Sequence, residues 1–204
     1  METLTVVTPC ARPQNLPRIA RAVGAQAPWE LFDYTWLIVH DWLSGPCAGA
    51  GAPPHPAASM AHHADGGSVA GHAQANYALN RIDRGLVWQL DDDNLPAPGF
   101  FAELARQAAR HPRAGAYLFG QVAERRYDAA LWAAHDGVVS PIPVLGKMDT
   151  AQYVVRREVV GPVRFALRYG ADGLFIEDVV ARAYPCVYVP GPWTLYNALR
   201  PAAR

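Results

Sequence analysis

The 204 residues carry eighteen Lys and Arg against eighteen Asp and Glu, a formal net charge of zero, and 51% of them are hydrophobic. One α/β domain with a sizeable core fits that length. A basic nucleic-acid-binding surface, a polybasic anchor, an acidic tail and wholesale disorder all fail on the same balance. Lys147 is the only lysine, so the positive charge is almost entirely arginine. Cys10, Cys47 and Cys186 are widely spaced and form no Cys-x-x-Cys pair, which suits a reducing compartment. The N-terminal residues read as a strand instead of a leader, and no apolar run nears the ~18 residues of a membrane span. The expectation is a cytoplasmic chain with no integral membrane segment and no nucleic-acid partner.

In chain order, Leu4 to Thr8 is a β-branched run closed by Pro9, the first predicted strand. Leu16, Ile19, Ala20 and Val23 recur with helical period, and Pro17 suits a first turn. Tyr34 to Val39 reads as a second strand, apolar enough to be covered on both faces, and ends at His40-Asp41. Leu43 to Ala64 contains no charged residue but many Gly, Pro, Ala and His, and is read as a long loop. A helix is predicted from Gly71 to Ile82, a strand from Leu86 to Leu90, and a helix opened by Pro98. Ala116 to Val122, Gln152 to Val155 and Cys186 to Val189 are further strands, and Asp172 to Ala183 a last helix. Strand and helix alternate in the first half, which predicts a mostly parallel sheet with helices on both faces, mixed in its second half.

Asp91-Asp92-Asp93 is the strongest chemical signal. Three adjacent carboxylates after an apolar strand repel one another unless a cation, hydrogen-bond donors or solvent offset them. They also stand where open α/β sheets bind ligands, beyond the carboxyl ends of strands. On extended backbone Asp91 and Asp93 face one ligand and Asp92 another direction. The structural alternative is an acidic turn that caps the following helix.

Four segments, Leu4 to Leu16 (LTVVTPCARPQNL), Trp36 to Asp41 (WLIVHD), Gly71 to Leu79 (GHAQANYAL) and Trp88 to Phe101 (WQLDDDNLPAPGFF), resemble successive motifs of nucleotide-sugar glycosyltransferases. The similarity is to family 2 and its relatives, and the strand–Asp-x-Asp–Asn–Pro segment is its most specific piece. It implies a single Rossmann-like domain of the glycosyltransferase A (GT-A) fold. Residues 1–97 would form the nucleotide-sugar-binding half and 98–204 the acceptor and catalytic half. Thr8, Pro9 and Arg12 would lie along the nucleotide and Asp41 would bond the base, typically uracil. Asp91 would approach the ribose or the metal, and Asp93 would hold Mg2+ or Mn2+ on the diphosphate of a UDP-sugar. Asn76 and Asp92 complete the implied nucleotide-binding set. The segment His72 to Asn76 lacks an arginine that members often carry, and no histidine follows His135 to complete a metal site.

The resemblance also implies a carboxylate at the start of a late helix that takes the proton of an acceptor hydroxyl. Asp172 is the candidate, with a helix N-cap as its structural alternative. Glu177 and Asp178 are the other acidic pair, favoured near a helix start by the dipole alone. Asp149 and Lys147, in the turn before a strand, are candidate sugar or acceptor contacts. Trp42, Trp132 and Trp193 are candidate stacking surfaces, with plain packing as the alternative. The spacing of His55, His62, His63 and His72 matches no zinc pattern.

The reading is therefore a metal-dependent transferase that moves a sugar to a glycan or other hydroxyl acceptor, with inversion because one base suffices. Short loops, a second copy of the chain or a partner protein would recognise the acceptor. A non-catalytic nucleotide-sugar or carbohydrate-binding module is the alternative. A haloacid-dehalogenase-like phosphatase would need a nucleophilic Asp where Thr8-Pro9-Cys10 stands. A nucleotidyltransferase would need glycines before Val23, where there are none.

Overall fold

A computed structural model describes residues 1–41, 57–63, 71–123, 134–135, 138–182 and 185–200. Its first half runs β1 (Thr3–Cys10), α1 (Leu16–Gly24), β2 (Asp33–Asp41), β3 (Ala58–His63), α2 (His72–Leu79) and β4 (Leu86–Gln89). The second half adds β5 (Leu95–Pro96), α3 (Phe100–Arg110), β6 (Ala116–Ala123), β7 (Ala134–His135), β8 (Val138–Val139), β9 (Tyr153–Arg156), α4 (Arg157–Val160), α5 (Ala171–Ala181) and β10 (Cys186–Tyr196). The strands form one sheet in the order β3-β2-β1-β4-β9-β6-β10-β5, with β8 on β6 and β7 on β8. The β1–β2, β2–β3 and β1–β4 pairs are parallel, while β9 runs antiparallel to both β4 and β6. This is a single α/β domain with a mixed sheet, as the alternating pattern predicts.

Period-two alternation explains the layering. Leu4 and Val6 of β1 join Trp36, Ile38 and Trp88 in a core closed by α1 and α3. Val7, Val39 and Val87 point the other way, onto Ala75, Ala78 and Leu79 of α2 and Phe175, Ile176 and Val179 of α5. In the first core Trp88 stacks on Phe100 at 4.2 Å between ring centroids, and its indole N–H donates to the Ala151 carbonyl at 3.0 Å. That bond ties the site-bearing strand β4 to the turn at Thr150–Gln152.

Two elements differ from expectation. The uncharged stretch read wholly as loop contains β3, the edge strand parallel to β2. Ala-Ser-Met-Ala-His-His has little β-branched content, so neither propensity nor alternation announces it. The last strand continues past Pro190 and Pro192 to Tyr196, with a register shift between Val189 and Thr194. A bulge accommodates the prolines that would stop a regular strand. Trp42, Cys47, His55 and Trp132, most of the Leu43 to Ala64 loop, and the side chains of Asp41, His62 and His63 lie outside the described residues.

Candidate active site

The carboxyl ends of β1 and β4 converge with the start of α2 and the segment that follows β10 on a cavity of about 190 Å3. Arg12, Gly71, Gln74, Asp91, Asp92, Asp93 and Arg200 are among its walls. Gly71 has φ +78°, and a Cβ there would stand 2.7 Å from Pro9 Cβ, so only glycine lets α2 start this close to β1.

The three aspartates have different surroundings. Asp92 is buried and accepts from the backbone N–H groups of Ala11 and Arg12 and from the Arg12 guanidinium. Asn15 Nδ2 donates to the Asp92 carbonyl at 2.9 Å. Asp92 therefore ties the β1–α1 loop to the end of β4. Burial still raises its pKa, against the lowering effect of Arg12 and the two backbone donors.

Asp93 Oδ2 accepts from Arg12 Nη1 at 3.1 Å and Arg200 Nε at 2.7 Å. Its carbonyl accepts from Leu199 N at 2.9 Å, which lays the C-terminal segment across the acidic turn and brings Arg200 in. Asp91 Oδ1 accepts from Gln89 Nε2 at 3.0 Å. Its pKa is pushed well above the usual carboxylate range by burial first, then by Asp149 and Asp172, with Asp93 adding less.

Asp149 is buried before the Thr150–Gln152 turn, and its Oδ1 accepts from Asn94 Nδ2, Gln121 Nε2 and Ala151 N, each at 3.0 Å. Burial and the neighbouring Asp172 raise its pKa to about 7. Asp172 lies in the first turn of α5, but Gly170 is the N-cap and no side chain caps the helix. The capping alternative therefore fails. The Asp172 carboxylate instead meets His72 Nε2 at 2.7 Å.

Asp91, Asp93, Asp149 and Asp172 thus form one acidic cluster across β4, the turn before β9, and α5. The donor set suits a hard divalent cation, which takes carboxylate oxygens and leaves places for phosphate and water. Among the described residues no three His, Cys, Asp or Glu side chains form a ready cage. A cation shared with a diphosphate needs only one or two carboxylates. Burial and the neighbouring carboxylates disfavour the ionised form of Asp91, and a cation bound there would favour it.

The other expected contacts divide. Pro9 and Arg12 line the cavity. Thr8 is buried, its hydroxyl accepting from the Trp36 indole N–H at 2.9 Å, so its side chain serves the core. Both amide atoms of Asn76 bond the Phe165 backbone, at 2.9 and 2.8 Å, and Asn76 is not among the cavity walls. Lys147 is exposed and is not among the cavity walls, and Glu177 and Asp178 lie on the exposed face of α5. Trp193 is partly buried against the first core, its N–H donating to the Pro190 carbonyl. Sequence reasoning did not assign Arg200, Asn94 or Gln121 to the site. Asn94 stands in the acidic motif itself, while nothing near Arg200 or Gln121 marks them.

This arrangement of a parallel half-sheet, a strand-end acidic turn and an antiparallel β9 defines the GT-A fold. No family model matches the chain, and no curated protein matches it. Solved structures do. S. aureus TarS 1–349 in complex with UDP-GlcNAc superposes with TM-score 0.70 at 11% identity, over 96% of this chain and 58% of that one. The same protein with UDP gives TM-score 0.69 at 12% identity, over 96% and 60%. Mannosyltransferase PcManGT from Pyrobaculum calidifontis, in complex with GDP-Man and Mn2+, gives 0.69 at 18%, over 96% and 57%. The chain therefore spans about three-fifths of the length of those structures.

Proposed function

We propose that the chain is a glycosyltransferase that moves a sugar from a nucleoside diphosphate, UDP first, to an acceptor hydroxyl. The acidic cluster beside Arg12 and Arg200 at the carboxyl ends of parallel strands carries this reading. The solved structures of the same fold hold UDP-GlcNAc, UDP, or GDP-Man with Mn2+. On this reading residues 1–97 bind the donor, with Asp41 toward the base. Residues 98–204 supply the base and the acceptor surface, where Asp149 and Lys147 would contribute and a second copy or partner would add to it.

Asp91 and Asp93 would hold Mn2+ or Mg2+, which neutralises charge on the departing diphosphate when bound. Arg12 and Arg200 stand beside Asp93 and supply positive charge to the same phosphates. Asp172 takes the acceptor's proton as the acceptor oxygen bonds the anomeric carbon. The bond from that carbon to the diphosphate oxygen breaks, and its electron pair leaves with the diphosphate. Displacement with one base inverts the anomeric carbon. Asp149, with its pKa raised to about 7, is mostly protonated below that pH and there spares the site a further negative charge.

The test is donor hydrolysis with Mn2+ by wild type and Asp172→Asn, after a thermal-shift screen of UDP-GlcNAc and GDP-mannose. A bound donor raises the melting temperature by mass action. Turnover lost in the variant, with the donor-induced shift intact, supports the reading; equal turnover refutes Asp172 as base.

A further inference from the structure

His72 opens α2 fully buried, with its ring stacked on Phe165 at 5.3 Å and 9°. Phe165 stacks in turn on Phe175 of α5 at 4.0 Å and 7°. One turn along α2, Asn76 grips the Phe165 backbone with both amide atoms. The imidazole is therefore fixed in plane, with Nε2 at 2.7 Å from Asp172 Oδ1. Its Nδ1 is buried and has no hydrogen-bond partner among the described residues. A buried N–H without an acceptor is costlier than an unpaired lone pair beside a satisfied N–H. The proton accordingly sits on Nε2 and is donated to the carboxylate.

We propose that His72 is a positioning residue for Asp172, an inference that rests on Asp172 being the base. Asp172 is partly exposed and caps nothing, so no other hydrogen bond among the described residues selects its rotamer. The Nε2–H bond engages Oδ1 and leaves Oδ2 to take the acceptor's proton. The ring does not carry that proton onward, because Nδ1 has no partner to pass it to. Asn76 acts one step further out, holding the aromatic platform on which the imidazole rests.

Two variants separate this role from plain packing. His72→Phe keeps an aromatic ring on Phe165 and removes the donor; His72→Gln restores an N–H near the Nε2 position. With Mn2+ and whichever of UDP-GlcNAc or GDP-mannose shifts the melting temperature, His72→Phe should lower kcat about 100-fold. KM for the donor should stay unchanged, and His72→Gln should recover most of the loss. In an Asp172→Asn background His72→Phe should cause no further loss. Independently of turnover, long-range 15N–1H spectra of the wild type should show His72 as the Nε2–H tautomer. A wild-type kcat in His72→Phe, an undiminished loss in the Asp172→Asn background, or the Nδ1–H tautomer would overturn the proposal. Failure of the parent reading looks different: Asp172→Asn alone would turn over as fast as wild type, and the positioning role would fall with it.

Discussion

Replacing Asp149 with asparagine should stabilise the protein, and more so as pH rises. The Asp149 carboxyl is buried, with its pKa raised from 3.8 to about 7 by burial and by Asp172, against the lowering effect of Gln121 and the Ala151 N–H. A raised folded-state pKa means the contribution to stability is fully present below the unfolded value and is lost as pH climbs through the folded one. Each unit corresponds to about 1.4 kcal/mol, so the loss approaches about 4 kcal/mol by pH 8. Asp149→Asn keeps an oxygen for the Asn94, Gln121 and Ala151 donors and turns an amide toward the neighbouring carboxylates. Between pH 5 and pH 8 the variant's advantage should grow by about 2–3 kcal/mol, following the slope over that window. Urea unfolding of both proteins at the two pH values, at constant ionic strength, measures it. A difference that is flat or shrinks with pH would refute the assigned electrostatics of the cluster.

Asp92→Ala leaves the backbone N–H groups of Ala11 and Arg12 without their acceptor and takes one of two carboxylates from the Arg12 guanidinium; a loss of about 3 kcal/mol is expected in urea unfolding. Gly173→Ala should lower the melting temperature by roughly 6–12 °C, about 3 kcal/mol for a chain this long. The added Cβ falls inside contact distance of the Val144 carbonyl oxygen, where α5 presses on the preceding segment. Arg200→Gln removes one of the two guanidinium partners of Asp93 Oδ2, so Mn2+ alone should bind several-fold more tightly in calorimetry. Unchanged or weaker Mn2+ binding would show that Arg200 does not compete for that carboxylate.

Elements with strong local signals were legible before the fold was known. β1, β2 and β4 are apolar and β-branched or aromatic, and α1 and α3 carry clear amphipathic stripes, so periodicity alone locates them. The acidic turn was legible because like charges so close together require an explanation. The division of labour within it was not. Alternation predicts Asp92 turned from the ligand, but only tertiary contact shows that it secures the Ala11–Arg12 loop. Thr8 and Asn76 stand at motif positions whose side chains the folded chain uses for packing, because Trp36 and the Phe165 backbone are close only in three dimensions. The partners of Asp172 and Asp93 come from 100 and 107 residues away, His72 and Arg200. No window of sequence brings such pairs together. β3 and the bulged end of β10 were hidden for a related reason: pairing with a neighbouring strand overrides weak local propensity.

Calorimetric titration of UDP-GlcNAc and of GDP-mannose, each with Mn2+ and with EDTA, tests most directly whether the acidic cluster is a cation-assisted nucleotide-sugar site. One of the two sugars should bind with Mn2+, lose that binding in EDTA, and fail to bind Asp93→Ala. No heat from either sugar in either buffer, or binding to Asp93→Ala as tight as to wild type, would contradict the assignment.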